Sequence, residues 1–111
     1  LVGWVFGERW AQANPAAVAG FLRASTAAKA LLRESDAAWE ALRPSMRPED
    51  EASFVTLREG FRAGIPHASG EEGERAAARA FAILAAEGGE ALVGRARELA
   101  PGTFWHGGGG R

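Results

Sequence analysis

A mainly α chain is what the sequence predicts: one N-terminal strand followed by about five helices. Three observations carry this. Apolar residues recur at helical spacing from Val18 to Leu84. Helix-start signals at Asn14-Pro15, Ser35-Asp36, Pro48-Glu49-Asp50-Glu51 and Ser69-Gly70-Glu71-Glu72 alternate with stop signals at Pro44, Gly64 to Pro66 and Gly88-Gly89. The opening residues, Leu1 to Phe6, follow neither pattern.

Leu1 to Phe6 reads as the strand. Val2, Trp4 and Phe6 alternate with Gly3 and Val5, so both faces are largely apolar, as in a strand buried between layers. A lone strand leaves its backbone N–H and C=O groups without partners. Its natural place is a sheet whose other strands lie in sequence ahead of this chain. The alternative is an extended arm packed on the helices.

The helices follow in order. Glu8 to Ala13 suits one short helical turn. Asn14 is a capping residue and Pro15 is tolerated at the first helical position, so a helix runs from Pro15 to about Glu34. Val18, Phe21, Leu22, Ala28 and Leu32 share its apolar face. Ser35-Asp36 caps a short helix over Ala37 to Leu42, with Trp39 and Leu42 on one side and Pro44 as its stop. Pro48 and the acids after it open the next, whose stripe is Phe54, Leu57 and Phe61. Ser69 and Glu72 fit a capping box for a helix to about Glu87, with Ala77, Ala80, Phe81 and Leu84 inward. Gly88-Gly89 breaks it, and Glu90 to Leu99 reads as one more short helix. Pro101 to Arg111 has no periodicity, and its Gly-rich end reads as a flexible tail over residues 106–111.

Composition narrows the function. The chain has 111 residues, one domain's worth, and a net charge of −1 with acids and bases interspersed. A nucleic-acid binder would show a basic face, so no nucleic-acid partner is expected. There is no cysteine, which excludes a disulfide scaffold and a Cys-based zinc site. No apolar run approaches the roughly 20 residues that span a bilayer.

Catalytic chemistry finds no support. His67 and His106 are the only histidines, and neither has an acid or second His at ligand spacing, so they read as solvated loop residues and no metal is expected. No Ser sits in a nucleophile elbow. Glu71, Glu72 and Glu74, like Asp50 and Glu51, occupy first turns, where the helix dipole accounts for them. Gly107 to Gly110 lacks the Lys-Ser/Thr and following helix of a phosphate loop, so no cofactor is expected. Of the four tryptophans, Trp39 reads as core and Trp105 as packing a C-terminal segment back onto the body. Trp4 and Trp10 flank the strand and the turn after it; they line a ligand cleft at a strand end or join the core.

The run GWVFGERWAQANPAAVAGFLRASTAAKALL resembles the C-terminal part of solute-binding proteins of ABC importers, of the nitrate, sulfonate and taurine type with its thiamine-precursor relatives. Asn14, Pro15, Val18, Phe21, Leu22, Ala24 and Ala28 carry the match, and DAAWEALRPSM and ALVGRARELAPGTFW extend it to Trp105. The resemblance implies a two-lobed periplasmic binding protein of type II, each lobe an α/β sandwich, with residues 1–105 supplying one strand and the helices packed on the first lobe. It implies a small-molecule solute held between lobes and a membrane permease as partner. Only the strand lies near the interlobe crossover, so Gly3, Trp4 and Phe6 are the candidate ligand-binding residues. Gly3 suits close backbone approach to a ligand or neighbouring strand. Two rival readings remain: a pyrimidine-precursor protein on the same fold, either binding or biosynthetic, and a free-standing helical module using Phe21, Phe54 and Phe81 as a partner groove.

Overall fold

The computed structural model describes residues 3–67 and 70–107. It is mainly α, with five helices and no strand among the described residues: α1 Glu8–Ala13, α2 Pro15–Glu34, α3 Asp36–Met46, α4 Glu51–Gly64 and α5 Glu71–Val93. The expected N-terminal strand is therefore corrected over its described part. Residues 3–7 form neither helix nor ladder. A strand exists only through hydrogen bonds to a neighbour, and no second strand is present among the described residues to supply them. Leu1 and Val2 of the expected strand lie outside the described residues.

The chain divides into two compact units, Ala16–Pro66 and the pair of segments Leu1–Pro15 and His67–Arg111. In the first unit, α2 to α4 bury Val18, Trp39, Phe54 and Ile65. Trp39 is core as its spacing with Leu42 predicts, although Leu42 itself stays exposed. Phe54 alone of the expected α4 stripe is fully enclosed; Leu57 and Phe61 are about half exposed. Phe54 is thereby removed from any partner groove. Phe21, half exposed on α2, shows that its apolar face is wider than the contact it makes within the chain.

Local chemistry explains the joints of this unit. Ser35 caps α3 as expected, its Oγ accepting from the Ala38 N–H at 3.1 Å. Asp50 caps α4 by accepting from the Ser53 N–H at 2.7 Å. The start of α4 thus falls at Glu51, and Pro48 lies ahead of the helix instead of in its first turn. Pro44 does not stop α3, which continues to Met46. A proline ring suits helical φ; what it removes is the N–H that would reach the Glu40 carbonyl. Arg43 holds the turn across that gap, its guanidinium forking onto both Glu40 carboxylate oxygens at 2.8 Å. The helix closes at Arg47, in the left-handed region (φ 49°), whose N–H bonds the Arg43 carbonyl.

In the second unit, α1 and α5 bury Ala11 and Ala77. Asn14 was expected to cap α2, but the hydrogen bond its side chain makes runs backwards, the amide donating to the Trp10 carbonyl at 2.9 Å and closing α1. The cap of α5 is Gly70, which has no side chain to bond; Ser69 of the expected capping box lies outside the described residues. The expected break at Gly88-Gly89 is a kink. Gly89 sits at φ 56°, ψ −156°, and one further turn ends at Val93, so the last helix is shorter than the expected Glu90 to Leu99. Only glycine adopts that conformation without strain. Its neighbour is crowded: a Cβ on Gly88 would lie 2.5 Å from Leu92 Cδ2. Gly89→Ala is expected to lower stability by about 1–3 kcal/mol, measured by thermal unfolding followed by circular dichroism. A neutral result would mean that the chain does not hold this kink.

Candidate functional site

The segment ahead of α1 is presented to solvent. Gly7, extended at φ −72°, ψ 125°, turns the chain into α1. Before it, Trp4 is 57% exposed, Val5 94% and Phe6 38%. A Cβ on Gly3 would meet nothing within 4 Å, so no close backbone approach explains this glycine.

Phe6 packs against the C-terminal segment. The rings of Phe6 and Trp105 meet edge to face, with centroids 5.6 Å apart and planes at 79°. This geometry sets the positive edge of one ring on the negative face of the other and adds about 0.5–1.5 kcal/mol to the area buried. Trp105 therefore folds the C-terminal segment back, as its sequence predicts. The next residue reinforces it: His106 Nε2 lies 3.3 Å from Glu74 Oε1, an ion pair when the imidazole is protonated. Glu74 stands with Glu71 and Glu72 in the first turn of α5, where the helix dipole favours a carboxylate. His67 is exposed.

The charged residues of the Ala16–Pro66 unit form a second cluster. Arg62 Nη2 donates to Asp36 Oδ1 at 2.7 Å, and its Nε donates to the Leu32 carbonyl at 3.0 Å. Trp39 Nε1 donates to that same carbonyl at 2.7 Å. Leu32 lies in the last turn of α2, where carbonyls have no partner within the helix. Arg58 adds its charge to Asp36 at 3.7 Å, and Arg43 reaches across to Glu51 at 2.8 Å while stacking 3.7 Å from the centre of the Phe54 ring. The acid at Glu51, explained in sequence by the dipole alone, thus has a specific partner. The spacing of Glu40 with Arg43 and of Glu59 with Arg62 was legible in sequence as helix-face pairing. The joining of Asp36 to Arg58 and Arg62 spans two helices and left no local signal.

These contacts set a pH dependence. The hydrogen bond from Arg62, then the charge of Arg58, holds the Asp36 carboxyl below its usual range. The Arg43 fork does the same for Glu40, and the Ser53 N–H for Asp50. A carboxyl whose pKa is depressed on folding stabilises above its unfolded pKa and loses that contribution as pH falls through the folded one. The melting temperature is therefore expected to hold near neutrality and drop below about pH 4. In Asp36→Asn the drop should be shallower; an identical acid limb would show that this carboxylate is not held by the arginines.

An open depression of about 510 Å³ lies at the turn between α3 and α4, lined by Met46, Arg47, Pro48, Asp50, Ser53 and Leu57 among others. It contains none of the sequence-predicted ligand residues. Of those, Phe6 is joined to Trp105 and Trp4 is more than half exposed. Among the described residues no three His, Asp or Glu side chains group as a metal site, and no helix is long and apolar enough to cross a membrane. No family model, no curated protein and no solved structure matches the chain.

Proposed function

We propose that this chain is the C-terminal segment of the substrate-binding component of an ABC importer, working in the periplasm. It helps capture a small anionic solute of the nitrate, sulfonate or taurine kind for delivery to a membrane permease. The observation that carries the reading is the resemblance of Gly3 to Leu32, with its Asn14-Pro15 helix start and the Val18, Phe21, Leu22 spacing. The mainly helical content fits the helices such a segment contributes to its lobe.

In this reading the segment belongs to an α/β lobe of a two-lobed, type II binding protein. Trp4 and Phe6 offer aromatic faces toward the interlobe cleft, and the Gly3 backbone offers polar groups. The mechanism is not catalytic. The solute binds the closed arrangement of the lobes better than the open one, and that differential affinity shifts the population toward the form the permease receives.

The test is a thermal-shift screen on the complete encoded protein. The panel is nitrate, bicarbonate, taurine, alkanesulfonates and thiamine-pathway pyrimidines. A ligand at a hundred times its dissociation constant stabilises the native state by about 2.7 kcal/mol, so a clear rise in melting temperature is expected with one anion class. A rise with the pyrimidines alone moves the protein to the thiamine-precursor branch. No rise with any of them overturns the reading.

A further inference from the structure

On α5 the residues Arg79, Ile83 and Glu87 follow one another at four-residue steps, so they stand in one row along the helix. All three are exposed, Ile83 at 63%. The row lies off the side that buries Ala77, and its neighbours Ala76, Ala82 and Ala86 are exposed and too small to shield an isoleucine. The kink at Gly89 falls just after the row, so all three positions ride on one unbroken stretch of helix. Other charges of this helix have partners: Arg75 pairs with Glu71 at 3.4 Å, Glu90 with Arg95 at 3.4 Å, and Glu74 approaches His106. Among the described residues Arg79 and Glu87 make no ion pair or hydrogen bond within the chain. A single exposed isoleucine is ordinary. One placed midway between two unpaired opposite charges is a self-complementary surface.

We propose that this row is the seam of a weak homodimer, in which α5 meets α5 of a second copy antiparallel across a two-fold axis at Ile83. Arg79 lies four residues, about 6 Å, before that axis and Glu87 as far after it. Antiparallel pairing therefore sets Arg79 opposite the partner's Glu87, and the symmetry repeats the pair. Parallel pairing would set arginine on arginine and glutamate on glutamate, which repel. The charge pattern thus names the occupant as a second copy and fixes its direction. The alanines beside the row let the two helices approach, and Ile83 packs at the centre. The patch holds one large apolar side chain, so the association is weak and reversible. Exposed ion pairs add little affinity; here they choose orientation. The dimer stands on this face, whatever solute the protein binds.

Sedimentation equilibrium on the full chain should show monomer and dimer in exchange as concentration rises toward about 1 mM. Arg79→Glu sets acid against acid at both pairs, and Glu87→Arg sets base against base. Each should weaken dimerisation by about tenfold. The variant carrying both reversals restores opposite charges across the axis and should regain most of the parent's affinity. Direction is read by oxidative cross-linking, for which the sequence has no background cysteine. Ile83→Cys lies on the axis and should form a disulfide-linked dimer. Ala76→Cys, exposed seven residues earlier, would stand about 21 Å from its copy and should not. Circular dichroism checks that α5 persists in each variant. If a single reversal lowers helix content, the double reversal and the cross-linking decide. A chain that stays monomeric throughout overturns the proposal. So does a dimer that ignores both single reversals, a double reversal no tighter than the singles, or cross-linking through Ala76→Cys as readily as through Ile83→Cys.

Discussion

Phe54→Ala is expected to unfold the Ala16–Pro66 unit. Phe54 is 0% exposed, the one large side chain fully enclosed among the described residues. Truncating a buried Phe costs about 3–5 kcal/mol, from lost transfer energy and the cavity left behind. Native domains hold only about 0.05–0.15 kcal/mol per residue. For a unit of this length those two quantities are comparable, so little stability remains. The substitution also removes the ring against which Arg43 stacks, at 3.7 Å, while Arg43 bridges Glu40 of α3 and Glu51 of α4. Urea unfolding followed by circular dichroism checks this. The expected trace for Phe54→Ala shows α2 to α4 lost at low urea or absent from the start. Phe54→Leu keeps most of the volume and should retain a transition. A midpoint for Phe54→Ala near that of the parent would mean that Phe54 is not the centre of the core.

The second large effect is expected at Trp39, and the size of the replacement separates its two roles. Trp39 is 4% exposed and meets Phe61 edge to face, with centroids 5.4 Å apart. Trp39→Ala should cost about 3–5 kcal/mol. Trp39→Phe keeps a ring and loses the hydrogen bond to Leu32. That bond is worth about 0.5–1.5 kcal/mol when its loss strands no partner, and here it strands none, because Arg62 Nε donates to the same carbonyl at 3.0 Å. Combining Trp39→Phe with Arg62→Ala should leave the carbonyl unpaired and cost more than the two changes added. Coupling of contacting residues typically runs about 0.5–3 kcal/mol. Strict additivity in that cycle would show that the shared carbonyl does not link the two side chains.

Much of the helical layout was legible in the sequence because it is local. Pro15, Glu34, Gly64 and the Gly88-Gly89 break all mark real boundaries or kinks, and Ser35 is a cap in fact. These signals depend on one residue and its neighbours within a turn. The misses came where a second nearby contact competed with the simple rule. Pro44 ends many helices, yet Arg43 carries α3 past it through Glu40 and Glu51. Asn14 has the right chemistry for a cap but spends its amide on the turn behind it.

The candidate site was less legible still. Alternation of apolar residues marks Trp4 and Phe6 as a pair on one face, but it cannot say what covers that face. Trp105 lies some hundred residues away in sequence, and no spacing rule connects it to Phe6.

The sequence by itself determined the mainly α character, several of the helix boundaries and the kink at Gly88-Gly89, and the core identity of Trp39, since periodicity and capping chemistry are properties of short stretches. Only the tertiary structure decided that Phe54 and not Leu57 or Phe61 is enclosed, that one carbonyl at Leu32 gathers Trp39 and Arg62, and that Phe6 meets Trp105. Burial and long-range hydrogen bonds depend on which surfaces meet in space, and a pattern repeated every few residues carries no information about its partner.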